Sequence, residues 1–99
     1  MLHIVNKSHA LSTTLQSCLR LAQPGHALLL IEDAVYAATS GSAIEERMRQ
    51  ACGTVKVYAL QPDLDARGVS AKLIDGVTLV DYGGFVDLAL ECSTSHSWL

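Results

Sequence analysis

Three cysteines, Cys18, Cys52 and Cys92, have the clearest capacity for covalent chemistry in this 99-residue chain, because a thiolate is a strong nucleophile. A reactive cysteine needs partial exposure and a nearby cation or helix N-terminus that lowers its pKa. Cys18 shares apolar helical spacing with Leu15 and Leu19, so its spacing favours a small buried hydrophobic residue. Cys92 closes another apolar stripe near the C-terminal end of a helix, whose negative pole disfavours a thiolate. Cys18 is therefore the candidate nucleophile, and a purely structural role is the alternative.

The spacing of the metal-ligating residue types predicts no metal site. The three cysteines contain no Cys-x-x-Cys pair, and the four histidines share no ligand spacing with them or with one another. An odd number of widely spaced cysteines favours free thiols over a disulfide framework. Gly83-Gly84 stands near the start of a helix, but neither glycine pattern of nucleotide-binding loops is present. The sequence therefore predicts no bound cofactor.

Two carboxylates and one histidine are placed where an α/β sheet has its functional edge. Glu32 and Asp33 follow an apolar strand and could form an acid–base pair or bind a cation. Adjacent residues at a strand end point in different directions, so we expect Asp33 to cap a short helix that begins at Ala34. His9 lies in the loop after the first strand, where contact with a partner and simple solvation are both open.

The composition is unusually apolar for a small domain. Hydrophobic residues make up 49% of the chain and charged residues 17%. A domain of this size has little interior, so the surplus favours a subunit that buries one face against partners. The alternative is a tightly packed monomer with an apolar surface patch.

Charge and hydropathy exclude other classes of function. The net charge is −3, and only seven Lys and Arg residues are present, without clustering, so direct binding of nucleic acid is not expected. No apolar run is long enough to span a membrane. The N-terminus has no basic start and no long apolar segment, so it does not resemble a secretory signal. We expect a cytoplasmic protein.

Alternating strands and helices predict a single α/β domain over residues 1–99. The continuous apolar run Ala27–Ile31 is typical of a central strand that is buried on both faces. Further strands are predicted at 2–5, 55–60 and 76–80, with helices between them and a last helix capped by Asp81. We expect a four- or five-stranded, mostly parallel sheet with helices on both faces, thinly covered near the short helix 34–38.

The chain closes on two apolar residues, Trp98 and Leu99, after a polar stretch. A frayed terminus would not usually expose such residues. Docking onto the domain itself and docking onto another subunit are equally compatible with this ending. Tryptophan is common at interfaces because it buries a large area with few rotatable bonds. Trp98 and Leu99 are therefore candidate interface residues.

The chain resembles the DsrH/TusB family from end to end. The resemblance lies in the segments Leu2–Ser8, Leu28–Ala38, Val57–Leu60, Pro62–Leu64, Ala66–Gly68, Val80–Leu88 and Ser97–Leu99. It implies a DsrEFH-like three-layer fold. The pattern is specific because many segments agree in order, although none is catalytic in type.

The resemblance also implies a function. Members of this family are the smallest of three related subunits in the DsrEFH or TusBCD complex, a dimer of heterotrimers that passes sulfur as a cysteine persulfide. The partners would be DsrE/TusD-like and DsrF/TusC-like subunits and, through the complex, a DsrC/TusE-like sulfur carrier. The Tus branch serves 2-thiouridine formation at the tRNA wobble position, and the Dsr branch serves sulfur oxidation.

The principal persulfide cysteine of these complexes lies on the DsrE/TusD subunit, which leaves open whether the present chain is catalytic. The Ser-Cys-Leu context of Cys18 is closer to DsrH than to TusB and makes Cys18 a candidate secondary persulfide site. We therefore expect an accessory subunit of a heterohexameric sulfurtransferase complex. The alternatives are a purely scaffolding subunit whose cysteines carry no sulfur, and a stand-alone domain that binds a small molecule.

Overall fold

A five-stranded parallel sheet organises the computed structural model, which describes residues 1–98. Its strands are β1 Leu2–Val5, β2 Ala27–Leu30, β3 Lys56–Leu60, β4 Val77–Val80 and β5 Ser95–Trp98. Their order across the sheet is β4-β3-β2-β1-β5, and every neighbouring pair is parallel. The predicted α/β class, with a mostly parallel sheet of four or five strands, is confirmed.

The helices lie on both faces of the sheet, as predicted. They are α1 Thr14–Leu21, α2 Glu45–Cys52, α3 Gln61–Ala66 and α4 Tyr82–Glu91, with 3-10 helices at Glu32–Ala38 and Ser70–Lys72. The chain steps from β1 to β4 in one direction, so right-handed crossovers place α1, α2 and α3 on one face. The connection from β4 to β5 runs back across the sheet, which places α4 on the other face. No helix in residues 1–98 is long and apolar enough to cross a membrane.

The face covered by α1, α2 and α3, here called the main face, carries the larger core. Its buried residues are Val5, Leu15, Cys18, Leu28, Leu30, Ala34, Val35, Ala37, Ala38, Ile44, Met48, Val55, Val57, Ala59, Leu64, Ile74 and Val77. All four residues of β2 are buried, which confirms that its unbroken apolar run marks a central strand. The short helix Glu32–Ala38 packs into this core, so the prediction of thin cover in that region is wrong.

Thin cover is found instead on the opposite face, here called the α4 face. Its buried cluster is Leu2, Ala27, Leu29 and Leu88, with partly buried apolar residues packed against it. A single helix covers this face, and several apolar side chains of the sheet, such as Ile4 and Tyr58, are only half-buried.

The start of α4 could be predicted from local sequence, whereas the strand that follows its end could not. Asp81 caps the helix as predicted: its Oδ1 accepts a hydrogen bond from the Gly84 backbone N–H at 2.7 Å. The polar stretch after α4 has no predicted strand, yet Ser95–Trp98 forms β5 beside β1. Its strand pairing depends on β1, almost the whole chain away, and not on its own strand propensity.

Candidate functional site

Cys18 lies on the buried side of α1 and is fully enclosed. Its side chain has no exposed surface and belongs to the main-face core together with Leu15 and Met48. Burial raises the pKa of the Cys18 thiol to about 11, because a low-dielectric surrounding disfavours the thiolate. Near pH 7 the thiol is therefore protonated and screened from solvent. This is the buried hydrophobic environment that the spacing favoured, and whether Cys18 carries sulfur stays a prediction.

Cys52 and Cys92 are free thiols in half-buried positions. Cys52 ends α2, and burial raises its pKa, with a smaller opposing effect from the positive charge of Arg49. Cys92 follows α4 and packs against the cluster on the α4 face. The three cysteines thus lie on separate elements, and Cys52 and Cys92 are more accessible than Cys18.

Trp98 docks onto its own domain through a hydrogen-bonded chain of ring side chains. The indole Nε1 donates to Nδ1 of His3 at 3.1 Å, and Nε2 of His3 lies 3.0 Å from Nδ1 of His26. The His96 ring packs on the indole, with 4.8 Å between ring centroids. Docking onto the domain is thus observed, while an interface role for Trp98 stays a prediction. Leu99, the other predicted interface residue, lies outside the described residues.

The directions of these hydrogen bonds show where the proton of the buried His3 ring lies and that Nδ1 of the half-buried His26 ring is an acceptor. An indole N–H can only donate, so Nδ1 of His3 accepts and the His3 proton is on Nε2. That proton is donated to Nδ1 of His26, which also accepts from the backbone N–H of Gln23 at 3.2 Å. A second proton on His3 would face the Trp98 N–H directly. The cluster therefore requires a neutral His3.

The electrostatic surroundings of His3 also favour the neutral ring. The side chain is 4% exposed, and burial is the main cause of its lowered pKa. Positive charge on His26, His96 and the N-terminal ammonium lowers the pKa further. These histidines have no shared ligand spacing in the sequence. They come close together only because β1 pairs with both β2 and β5.

The predicted acidic pair at the carboxyl end of β2 is divided between two contacts. The backbone N–H of Glu32 donates to Oδ2 of Asp63 at 2.6 Å. Arg67 donates to Oδ1 of Asp33 from Nη2 at 2.8 Å and from Nε at 3.0 Å. The 3-10 helix begins at Glu32 with Ile31 at its N-cap, so the prediction that Asp33 caps a helix at Ala34 is wrong.

Glu32 also has a strained backbone. Its φ is +51°, a left-handed conformation that costs a non-glycine residue about 1–3 kcal/mol. The hydrogen bond from its N–H to Asp63 holds this conformation, and Asp63 lies in the first turn of α3. These hydrogen bonds therefore hold the carboxyl end of β2 against α3. The acidic residues that the sequence offered as catalytic or cation-binding candidates thus have a structural role.

The loop after β1 is partly closed around its polar side chains. Gln16 Nε2 donates to the backbone carbonyl of His9 at 3.1 Å. Asn6 Oδ1, His9 Nδ1 and Gln16 Oε1 are buried and have no hydrogen-bond partner within residues 1–98. His9 is half-buried and burial lowers its pKa, so the ring is not simply solvated, and contact with a partner stays a prediction.

The second glycine of the pair at the start of α4 is explained by packing. A Cβ on Gly84 would lie 3.0 Å from Cβ of Val80, closer than side chains normally approach. Gly84 therefore allows α4 to lie close to the end of β4.

One surface cleft has a single charged side chain in its lining. A cleft of about 190 Å³ between α1 and α2 is lined by Leu19, Arg47, Gln50, Ala51 and Thr54. Within residues 1–98, no group of three or more His, Cys, Asp or Glu side chains is arranged to hold a metal ion.

Known proteins are similar to this chain in sequence and in fold. The family model described as "DsrH like protein" matches residues 7–95. Protein TusB from Shigella flexneri is 39% identical over 98 residues, which span 99% of this chain and 100% of that protein. The crystal structure of the ychN protein from E. coli has a TM-score of 0.82 at 26% identity and covers 97% of both chains.

A more distant structure shows the fold alone. A protein of unknown function from Methanobacterium thermoautotrophicum, MTH1491, has a TM-score of 0.75 at 20% identity, over 97% of this chain and 95% of that one. The family model and the full-length relative, in contrast, match the sequence itself over nearly the whole chain. The chain therefore belongs to the DsrH/TusB family.

Proposed function

We propose that this chain is an accessory subunit of a cytoplasmic, heterohexameric sulfurtransferase complex that relays sulfur as a cysteine persulfide. The observation that carries the proposal is membership of the DsrH/TusB family over nearly the whole chain. In each transfer, an acceptor thiolate attacks the outer sulfur of a donor persulfide. The donor S–S bond breaks, the acceptor becomes the persulfide, and the donor leaves as a thiolate, without net oxidation.

The burial of Cys18 favours a supporting role over a catalytic one. A fully enclosed thiol with a raised pKa is a poor nucleophile toward an external persulfide. The family resemblance implies that the principal sulfur carrier is a cysteine of a DsrE/TusD-like partner, and the present chain contributes structure. Sulfur on Cys18 itself is the second candidate, favoured by its Ser-Cys-Leu context.

The 2-thiouridine branch is the better-supported destination of the sulfur, because a full-length relative at 39% identity carries the name TusB. The lack of a basic cluster is compatible with both branches, since neither requires this chain to bind RNA by itself. The sulfur-oxidation branch is the second candidate, again because of the Cys18 context. In both branches we propose DsrE/TusD-like and DsrF/TusC-like partners and delivery to a DsrC/TusE-like carrier.

The experiment is sulfur mapping on the reconstituted complex. The full chain is co-expressed with the DsrE/TusD-like and DsrF/TusC-like subunits of its own genome, purified, and treated with glutathione persulfide. Alkylation and mass spectrometry then locate sulfane sulfur on each cysteine. We expect sulfur on the DsrE/TusD-like subunit, with transfer to the DsrC/TusE-like carrier that is reduced when the present chain is omitted.

The distribution of sulfur separates the alternatives. One additional sulfur atom on Cys18, absent in Cys18→Ser, supports a secondary relay site, whereas an unlabelled chain beside a labelled partner supports scaffolding. A chain that forms no complex with these subunits and does not change sulfur transfer would overturn the proposed function.

We also propose that Trp98, with Leu99, contributes to an interface of this complex. Trp98 is only half-buried within its own domain, so part of the indole is free to contact a partner. If it is an anchor, Trp98→Ala weakens assembly more than it lowers the melting temperature of the isolated chain. An equal loss in both measurements would restrict Trp98 to docking on its own domain.

A further inference from the structure

The outer surface of α4 is apolar. Tyr82, Val86 and Leu90 are 62%, 56% and 79% exposed. They are spaced four residues apart, so they follow one side of the helix as a continuous row, here called the α4 stripe. The opposite side of α4 is apolar too, since Phe85 and Leu88 pack on the sheet. A helix that needs only one apolar contact has a polar outer side, so α4 is built for a second contact.

Among residues 1–98, the other large apolar side chains that are exposed form no such row. Met1, Leu11, Leu21 and Tyr36 are exposed on separate segments of the chain, and isolated exposed apolar residues are normal on soluble proteins. The α4 stripe is therefore the place where the unusual apolar content of this chain reaches the surface. It also lies on the face of the sheet that a single helix covers.

The charges beside the stripe select the kind of partner. Asp87 and Glu91, also four residues apart, form an exposed acidic row along its flank, and α4 contains no Lys, Arg or His. Within residues 1–98 neither carboxylate takes part in a salt bridge. An acidic row without local cations is complementary to a basic partner surface.

A second copy of this chain does not supply that complement. Its own α4 would bring another acidic row and no cation, and each chain has a net charge of −3. Like charges at an interface suppress association. The occupant must therefore be a different polypeptide.

We infer that the α4 stripe docks an amphipathic helix of a sister subunit, with an apolar row against Tyr82, Val86 and Leu90 and Lys or Arg residues against Asp87 and Glu91. A helix fits because a ridge of side chains four residues apart packs into the groove of another helix. The inference rests on the proposed function, since it identifies the surface through which this subunit joins its complex.

The test compares Leu90→Asp with Leu21→Asp in the full complex. Both leucines are exposed and both lie in the last turn of a helix, so the new carboxylate meets a similar helix terminus in each case. Binding to the DsrE/TusD-like and DsrF/TusC-like subunits is measured by sedimentation and native mass spectrometry, and thermal unfolding verifies that each variant folds. We expect Leu90→Asp to weaken association at least about tenfold and Leu21→Asp to change it less than about twofold.

A charge variant tests the acidic row independently of the stripe. Asp87→Lys combined with Glu91→Lys is expected to weaken assembly at low ionic strength. Added salt should weaken association of the wild-type chain and strengthen that of the double variant, because screening removes attraction in the first and repulsion in the second.

The outcomes test the docking surface and the proposed function separately. If the wild-type chain assembles and Leu90→Asp binds as tightly as Leu21→Asp, the docking surface is wrong and the proposed function stands. If the wild-type chain binds neither sister subunit, both are overturned. Self-association of the isolated chain that Leu90→Asp abolishes would make a second copy the occupant and overturn the inference.

Discussion

The two faces of the sheet differ in how completely the chain covers them. The main face is enclosed by three helices and a 3-10 helix, and its core includes fully buried residues from every one of these elements. The α4 face has one helix, and only Leu88 of that helix is buried. The same helix exposes Tyr82, Val86 and Leu90 to solvent.

This difference separates folding from association within one small domain. The main face buries the apolar surface that holds the chain together, and Cys18, the candidate nucleophile, is enclosed within it. The α4 face retains apolar surface that the chain does not cover. Substitutions on the main face should therefore lower stability, and substitutions on the α4 face should mainly affect assembly.

The largest expected effect compares one truncation on each face. Leu15→Ala on α1 should lower the free energy of unfolding by about 3–5 kcal/mol, because the closely packed core cannot collapse around the cavity. Leu88→Ala on α4 should cost about 2–3 kcal/mol, because a helix with few neighbours can shift inward. Urea unfolding of the isolated chain measures both values. A larger loss for Leu88→Ala would reverse the assignment of stability to the main face.

The next effect concerns the two cysteines that face opposite cores. Cys18→Ser should cost about 1–3 kcal/mol, because it buries a hydroxyl in an apolar environment. Cys92→Ser, at a half-buried position on the α4 face, should cost less than about 1 kcal/mol. Chemical denaturation gives both values. An unchanged stability for Cys18→Ser, together with reduced sulfur transfer, would indicate that Cys18 is accessible and reactive.

Features set by neighbouring residues could be predicted from the sequence. The unbroken apolar run at Ala27–Leu30 identified the central strand, and Asp81 identified the start of α4. The inward spacing of Cys18 predicted its burial. Each of these depends on periodicity or capping within a few residues, so the sequence contains the whole signal.

Features set by strand order could not be predicted in this way. β5 is polar and is stabilised by pairing with β1. The chain of rings from Trp98 through His3 to His26 joins residues from both ends of the sequence and from a loop. The composition did predict surplus apolar surface, but it did not locate that surface on α4. Only the position of α4 on the sheet shows which side of it is free.

A smaller effect is expected where β5 is held to the main face. Trp98→Phe retains an aromatic ring and removes the N–H that donates to His3. We expect a loss of about 0.5–1.5 kcal/mol in the free energy of unfolding, the usual contribution of one hydrogen bond. Tyr82→Phe, on the exposed side of α4, should change stability by less than about 0.5 kcal/mol. Equal values for the two variants would show that the hydrogen bond to His3 does not stabilise the domain.

The smallest and most specific effect is the pH dependence of that same cluster. The pKa of His3 is lowered in the folded chain by burial and by positive charge on His26, His96 and the N-terminus. Below its ordinary pKa of 6.5, the unfolded chain binds a proton on His3 that the folded chain excludes. Stability from this group is therefore present above pH 6.5 and is lost as the pH falls through the folded pKa.

Two variants separate His3 from His9, whose pKa is lowered by burial in the same direction. Unfolding free energies are measured at intervals from pH 7.5 down to about pH 5, the range in which histidine protonation changes stability. His3→Gln should flatten part of the decline because glutamine does not titrate and its side-chain oxygen can still accept the Trp98 N–H. His9→Gln removes only the contribution from the loop after β1. If His3→Gln declined as steeply as the wild-type chain, a neutral His3 would not be what holds β5 to the main face. The difference between the enclosed main face and the partly covered α4 face would then depend on the apolar core alone.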